Sequence, residues 1–116
     1  MITSYQIVTG TAEAAQGSAD ATVIAAQGSG KKLVVLRGYV TVTVAAAAAG
    51  GEVALEDGVG GTRFFEGDAD AVGHFPIDFG EEGYPLSANT LLNITVDGSS
   101  GNQATARATL VCKVVG

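Results

Sequence analysis

A chain of 116 residues, 47% apolar and 16% charged, has room for one hydrophobic core but not two, and is too apolar to stay disordered. Its formal charge of −6 and isoelectric point near 4.4 oppose attraction to nucleic acid and to anionic lipid, so neither is an expected partner. With 17 Gly, no Trp and mostly small apolar side chains, each buried position removes little surface from water, and the thin core of a lone protomer invites reinforcement.

Residues 1–10 lack the basic start and long apolar run of a signal peptide, and no window reaches the length of a membrane span, so the chain reads as soluble and made in a cytosol. A short strand is expected over 5–9. The stretch from Gly10 to Asp20 is small, polar and low in complexity; it reads as a flexible arm or long loop, with at most one helical turn at 12–15. Residues 1–20 are therefore assigned as arm and first strand, and 21–116 as the folded domain. A strand follows at 21–26. The run Gly28-Ser29-Gly30-Lys31-Lys32 starts like a phosphate loop, but that motif needs Gly and Ser or Thr where Ala25 and Lys32 stand, so it reads as a solvated turn.

A long strand begins near Lys32 and alternates Val40, Val42 and Val44 against Tyr39, Thr41 and Thr43. The alanines at 45–49 are too few to nucleate a helix and read as a strand end and loop. Strands are expected at 52–56, 62–66 and 72–79, the last with Pro76 marking an edge. Leu92, Ile94 and Val96 face in, with Asn93, Thr95 and Asp97 facing out. The clearest alternation closes the chain, with Ala104, Ala106, Ala108, Leu110, Cys112 and Val114 on one dry face. About eight strands separated by Gly, Asp, Asn and Ser clusters predict an all-β sandwich or barrel.

Few residues are placed for chemistry. Cys112 is the only cysteine and His74 the only histidine, so neither an intrachain disulfide nor a His/Cys metal cluster can form within one chain, and oligomerisation is the favoured reinforcement. Cys112 alternates into the dry face and reads as a buried thiol; His74 shares a strand face with Pro76 and Asp78. Between Glu52 and Glu82 nine carboxylates accompany Arg63 alone. Asp68 and Asp70 are the calcium candidates, although their spacing is not that of an EF-hand and an acidic solvated surface is favoured. A basic partner surface is the other use of such a patch. Asn93-Ile94-Thr95 matches a glycosylation triplet inside a strand and reads as chance.

The opening strand KLVVLRGY at 32–39, the turn around Glu56-Asp57-Gly58, and GYPLSANTLLNIT at 83–95 leading into the last alternating strand together cover about three quarters of the chain from Lys31 to Val115. In this order they resemble the small jelly-roll decoration or cement proteins of tailed-bacteriophage capsids and related fibre-base modules. The resemblance implies a two-sheet, antiparallel jelly roll that assembles as a homotrimer and binds the major capsid protein on the virion surface after synthesis in the host cytoplasm. Leu33, Val35, Tyr39, Val111 and Val115 have the wrong parity for the main core of their strands, which makes them the expected interface residues; coverage of both strand faces within one chain is the alternative.

Two other functions compete. A phage tail or fibre module binding a receptor or carbohydrate would favour exposed aromatic platforms, and the chain offers only Tyr5, Tyr39 and Tyr84 with no Trp. A hydrolase built from Asp68, Asp70, Asp78 and Glu82 would need environments that separate carboxyl pKa values, which loop tips in water do not provide. No enzymatic activity, cofactor or bound metal is expected.

Overall fold

Alternating β-branched residues form strands throughout the computed structural model, which describes residues 6–16, 19–98 and 101–116. Nine strands follow in order: β1 (Gln6–Ala14), β2 (Asp20–Ile24), β3 (Lys32–Val44), β4 (Glu52–Asp57), β5 (Arg63–Asp68), β6 (Gly73–Asp78), the two-residue β7 (Tyr84–Pro85), β8 (Leu92–Asp97) and β9 (Thr105–Val115). They make two antiparallel sheets, one ordered β1-β9-β3-β6 with β7 also on β3, the other ordered β2-β8-β4-β5. The pairing is nested: β1 with β9, β2 with β8, β3 with β6 and β4 with β5. The chain is thus doubled on itself about the turn after β4, where Gly58 and Gly60 adopt positive φ and Asp57 N–H donates to Thr62 O at 2.9 Å.

Period-two geometry sends alternate side chains between the sheets. Val40, Val42, Ala106, Ala108, Leu110 and Cys112 from one sheet meet Val53, Leu55, Leu92, Ile94 and Val96 from the other, and all are buried. The alternation expected at 104–114 is found in burial as well as direction, while at 92–97 Leu92, Ile94 and Val96 face in as expected but Asn93 and Thr95, on the outward phase, are buried as well. Pro76 lies in β6, at an edge of its sheet, where its missing N–H interrupts no interior ladder.

Two expectations are corrected. The segment 10–14 is not an arm: β1 continues to Ala14, paired residue for residue with β9 from Gln6↔Val114 to Ala14↔Ala106. No helical turn forms at 12–14; Thr11 instead hydrogen-bonds across the strands to Thr109 at 2.9 Å. Tyr5 lies outside the described residues. Leu33 and Val35, expected at an interface, are fully buried in the core. The reason is a bulge: Val35 pairs with Cys112 and Arg37 with Val111, leaving Leu36 extra, so inward parity changes from odd to even along β3. Val34 and Leu36, on the opposite face, are also buried, because the chain entering β7 lies against that face, with Gly83 so close that an added Cβ would be 2.5 Å from Val34 Cγ1 and 3.0 Å from Leu36 Cδ2. The first half of β3 is therefore covered on both faces within one chain.

Glycine permits a second close approach where β1 crosses β2 at the side of the sandwich. A Cβ on Gly10 would stand 2.0 Å from the carbonyl oxygen of Val23, and backbone cannot yield as a flexible side chain can. Gly10→Ala is expected to lower unfolding stability by about 1–3 kcal/mol through forced separation of these strands, read from the urea midpoint at unchanged slope.

Candidate functional site

The outer face of the four-stranded sheet carries six of the twelve acidic residues. Register brings them together: Glu52 pairs with Asp97 and Glu56 with Asn93 across β4 and β8, while Asp20 and Thr22 of β2 oppose Thr95 and Asn93. Arg63, at the start of β5, reaches into the middle. Its Nη1 donates to Glu52 Oε1 at 2.6 Å, its Nε to Glu56 Oε2 at 3.3 Å, and its Nη2 contacts Asp97 Oδ2 at 2.6 Å. The bond to Asp97 foremost, with Glu56 adding, holds the guanidinium proton more firmly than usual. Beside it Asn93 Nδ2 donates to Asp20 Oδ1 at 3.0 Å and to Glu56 Oε1 at 2.9 Å, while Asn93 Oδ1 is buried without a hydrogen-bond partner.

Glu56, Asn93 and Thr95 are accordingly buried on what is nominally the outside of the sheet. Their outward direction is legible from alternation; their burial depends on the register and on the reach of Arg63, which alternation does not encode. Glu56 has both oxygens engaged, with Gly60 N–H also donating to Oε1 at 3.2 Å. This arrangement is a structural ion network: its charged atoms are directed at one another.

At its end an open cleft of about 310 Å³ is lined by Gly50, Gly51, Glu52, Glu66, Gly67, Asp68 and Asp70, so the calcium candidates do come together. Both Asp70 oxygens, however, accept backbone N–H groups, from Gly50 at 3.1 Å and Gly51 at 2.7 Å, and Asp68 Oδ1 accepts Asp70 N–H at 2.8 Å. They act as loop caps. Among the described residues no group of three or more His, Cys, Asp or Glu side chains is arranged to hold a metal ion.

Desolvation raises the pKa of Glu52, and its hydrogen bond to Glu66 and that residue's charge raise it further. A raised folded-state pKa gives stability that is present below the ordinary carboxylate range and lost as pH rises through the folded value. Glu66→Gln should therefore stabilise the protein near neutral pH. The gain is about 0.3–0.5 kcal/mol, because water screens a carboxylate as exposed as Glu52, and it should vanish near the acid end of thermal melts recorded from neutral pH downward.

The outer face of the five-stranded sheet is different in character. Lys32, Arg37, Arg107 and Lys113 lie there with Thr9, Thr11, Thr109, Val111 and Tyr39. Of the expected interface residues, Tyr39 is 41% exposed while Val111 and Val115 are half-buried on this face. Tyr39 packs against His74 with ring centroids 5.2 Å apart, and His74 Nδ1 bonds to Thr41 Oγ1 at 2.9 Å. Tyr84 is stacked on Phe64 at 4.8 Å and close to Phe79, so one face of its ring is covered. Cys112 lies in the core, where burial pushes the thiol up to about 12 and suppresses the nucleophilic thiolate. Asp78, exposed on β6, and Glu82, in the following loop, do not join Asp68 and Asp70 in the cleft.

No protein-family model matches the sequence, and no curated protein is detectably similar to it.

Proposed function

We propose that the chain is a structural protein that works by assembly, decorating or cementing the capsid of a tailed bacteriophage as a homotrimer, and that it performs no catalysis. The observation carrying this reading is where the polar chemistry goes. The concentrated charged groups, around Arg63, are spent on one another, while the opposite sheet presents an open surface of Thr, basic and apolar side chains suited to protein contacts. The nested pairing β1-β9, β2-β8, β3-β6 and β4-β5 supports the jelly-roll assignment, since a jelly roll is a doubled chain wrapped into two sheets. Many copies on a symmetric lattice would turn individually weak contacts into firm attachment.

Particles purified from cells making this chain test the role. Co-purification in a fixed stoichiometric ratio to the major shell protein, by quantitative mass spectrometry, is the expected result; absence from the particles, or a few copies per particle, would overturn lattice decoration. Light scattering on the pure protein tests the oligomer, with three times the protomer mass expected and a stable monomer at micromolar concentration contradicting it.

A further inference from the structure

Each sheet has two edges, along which every second backbone N–H and C=O points away from the last ladder. One side of the sandwich is closed by laying β1 against β2, so close that a Cβ on Gly10 would stand 2.0 Å from Val23 O. On the other side the edges are β5 and β6, and the sequence treats them differently. β6 carries Pro76, which has no N–H to offer a further strand, whereas β5 contains no proline. Among the described residues β5 pairs with β4 alone, so its outer row of backbone groups has no strand beside it.

The two flanks of that edge differ in chemistry. Toward the core, Phe65 packs on Phe75 of β6 at 5.6 Å and Phe64 on Tyr84 at 4.8 Å, so rings rather than backbone span the gap between the sheets. These rings are only half-buried, which leaves apolar surface for another side chain. Toward solvent, Glu66 and Asp68 are both exposed. Arg63 directs its bonds to Glu52, Glu56 and Asp97, and among the described residues no Lys or Arg lies within ion-pair distance of Glu66 or Asp68. The local shortage of positive charge is felt by Glu52, whose proton is held more firmly by burial first and by Glu66 next. The cleft of about 310 Å³ opens at the same end of β5, and Gly50, Gly51 and Gly67 leave much of its wall without side chains.

We infer that the free edge of β5 accepts an extended segment of a partner protein in which basic residues alternate with apolar ones, adding a fifth strand to the four-stranded sheet. Main-chain hydrogen bonds would supply the attachment and alternate side chains the selectivity. The phase of β5 dictates the pattern: Glu66 and Asp68 pair with the outward Ala54 and Glu52, while Phe65 and Gly67 pair with the inward Leu55 and Val53. Basic residues therefore belong opposite Glu66 and Asp68, with an apolar residue between them laid on Phe65 and Phe75, and the basic side chain opposite Asp68 extends over the cleft. The same carboxylates refuse a copy of this chain. Pairing β5 with β5 of a second copy would set like charges across the new ladder, and β6 of a second copy lacks a donor at Pro76 and brings Asp78. An acidic edge rejects acidic strands without rejecting a basic one, so its charge selects the partner as well as protecting the edge. The inference stands independently of the capsid role and the trimer proposed above.

A short synthetic peptide alternating Lys and Val is the probe. Two controls accompany it: a peptide of equal composition with its lysines and valines in separate blocks, and one alternating Glu and Val. Calorimetry is expected to show binding of the alternating basic peptide alone, weakening about tenfold between about 0.05 and 0.5 M salt. On binding, hydrogen exchange at the outward-facing amides of 64–68 should slow about tenfold or more, as it does for N–H groups that gain a partner. Glu66→Lys should weaken binding about tenfold or more, whereas Glu82→Lys, an equal change of charge at an exposed loop position, should leave it within about twofold. Circular dichroism checks that both variants fold, and the exchange measurement on the wild type decides the matter without either. The inference fails if the wild type binds no alternating peptide, if the block peptide binds as well, if protection appears on β6 rather than at 64–68, or if both variants weaken binding equally. Each of those results leaves the particle and mass measurements above untouched.

Discussion

Leu110→Asp is expected to give a chain that does not fold, with no cooperative transition in urea and no sheet signal in circular dichroism. Leu110 is fully buried in the middle of β9, where it faces the core opposite Gly10 on one side and Gly38 on the other. Both neighbours are glycines because nothing else fits. A Cβ on Gly38, at φ 153°, would come within 2.1 Å of Thr109 O and 2.8 Å of Leu110 Cδ2, so the leucine occupies the space beside Gly38, while Val23 and Ile24 occupy the space beside Gly10. Removing the leucine forfeits about 2–5 kcal/mol for transfer and cavity together. An unpaired carboxylate in its place adds a desolvation cost of several kcal/mol, and the total exceeds what a domain this size commonly has in reserve. Thr109→Asp, one position earlier and on the outer face, is the matched control. It loses the hydrogen bond to Thr11 and should cost about 1 kcal/mol while leaving a folded protein.

Asn93→Asp should be the most damaging substitution that leaves the apolar core untouched. Asn93 is fully buried and its amide supplies both donors that separate Asp20 from Glu56. The variant replaces those donors with a third carboxylate, and a loss of about 3–5 kcal/mol is expected, as when one partner is removed from a buried ion pair. Burial and two like charges raise the folded-state pKa of the introduced carboxyl. The penalty is therefore greatest at neutral pH and shrinks as pH falls through that raised value, whereas Asn93→Ala should carry a smaller loss with little of this pH dependence. Equal pH profiles for the two variants would show that charge is not the cause.

The comparison of sequence with structure divides along a physical line. Strands β8 and β9 were legible because polar residues at every second position fix the phase, although Asn93 and Thr95, on the outward phase of β8, are themselves buried. Strand β3 was legible as a strand but not in its phase over 33–36, because Leu33, Val34, Val35 and Leu36 are all apolar and all buried; a run without polar residues cannot reveal that a bulge has inserted one position. The reach of β1 through Ala14 was hidden for the opposite reason. Gly10 and Ala12 are poor strand formers and only Thr11 between them favours a strand, so what holds the segment is pairing with β9, nearly a hundred residues away. The ion network was half legible: the acidic excess around Arg63 is plain in the sequence, but the convergence of Glu52, Glu56 and Asp97 on it follows from the β4-β8 register, a long-range property.

The nested pairing also dictates the order in which the molecule can be finished. β1 leaves the ribosome before the other eight strands, yet among the described residues it pairs only with β9, the last of them, so it must wait, unsatisfied along one edge, until β9 has been synthesised. β4 and β5, adjacent in sequence, can form a hairpin early; closure then proceeds outward to partners ever further apart, with a growing loop-closure cost at each layer. Such a molecule matures after translation, on the millisecond-to-second scale typical of non-local β topologies, and a nascent chain stalled before Thr105 would display β1 as an open edge to its neighbours.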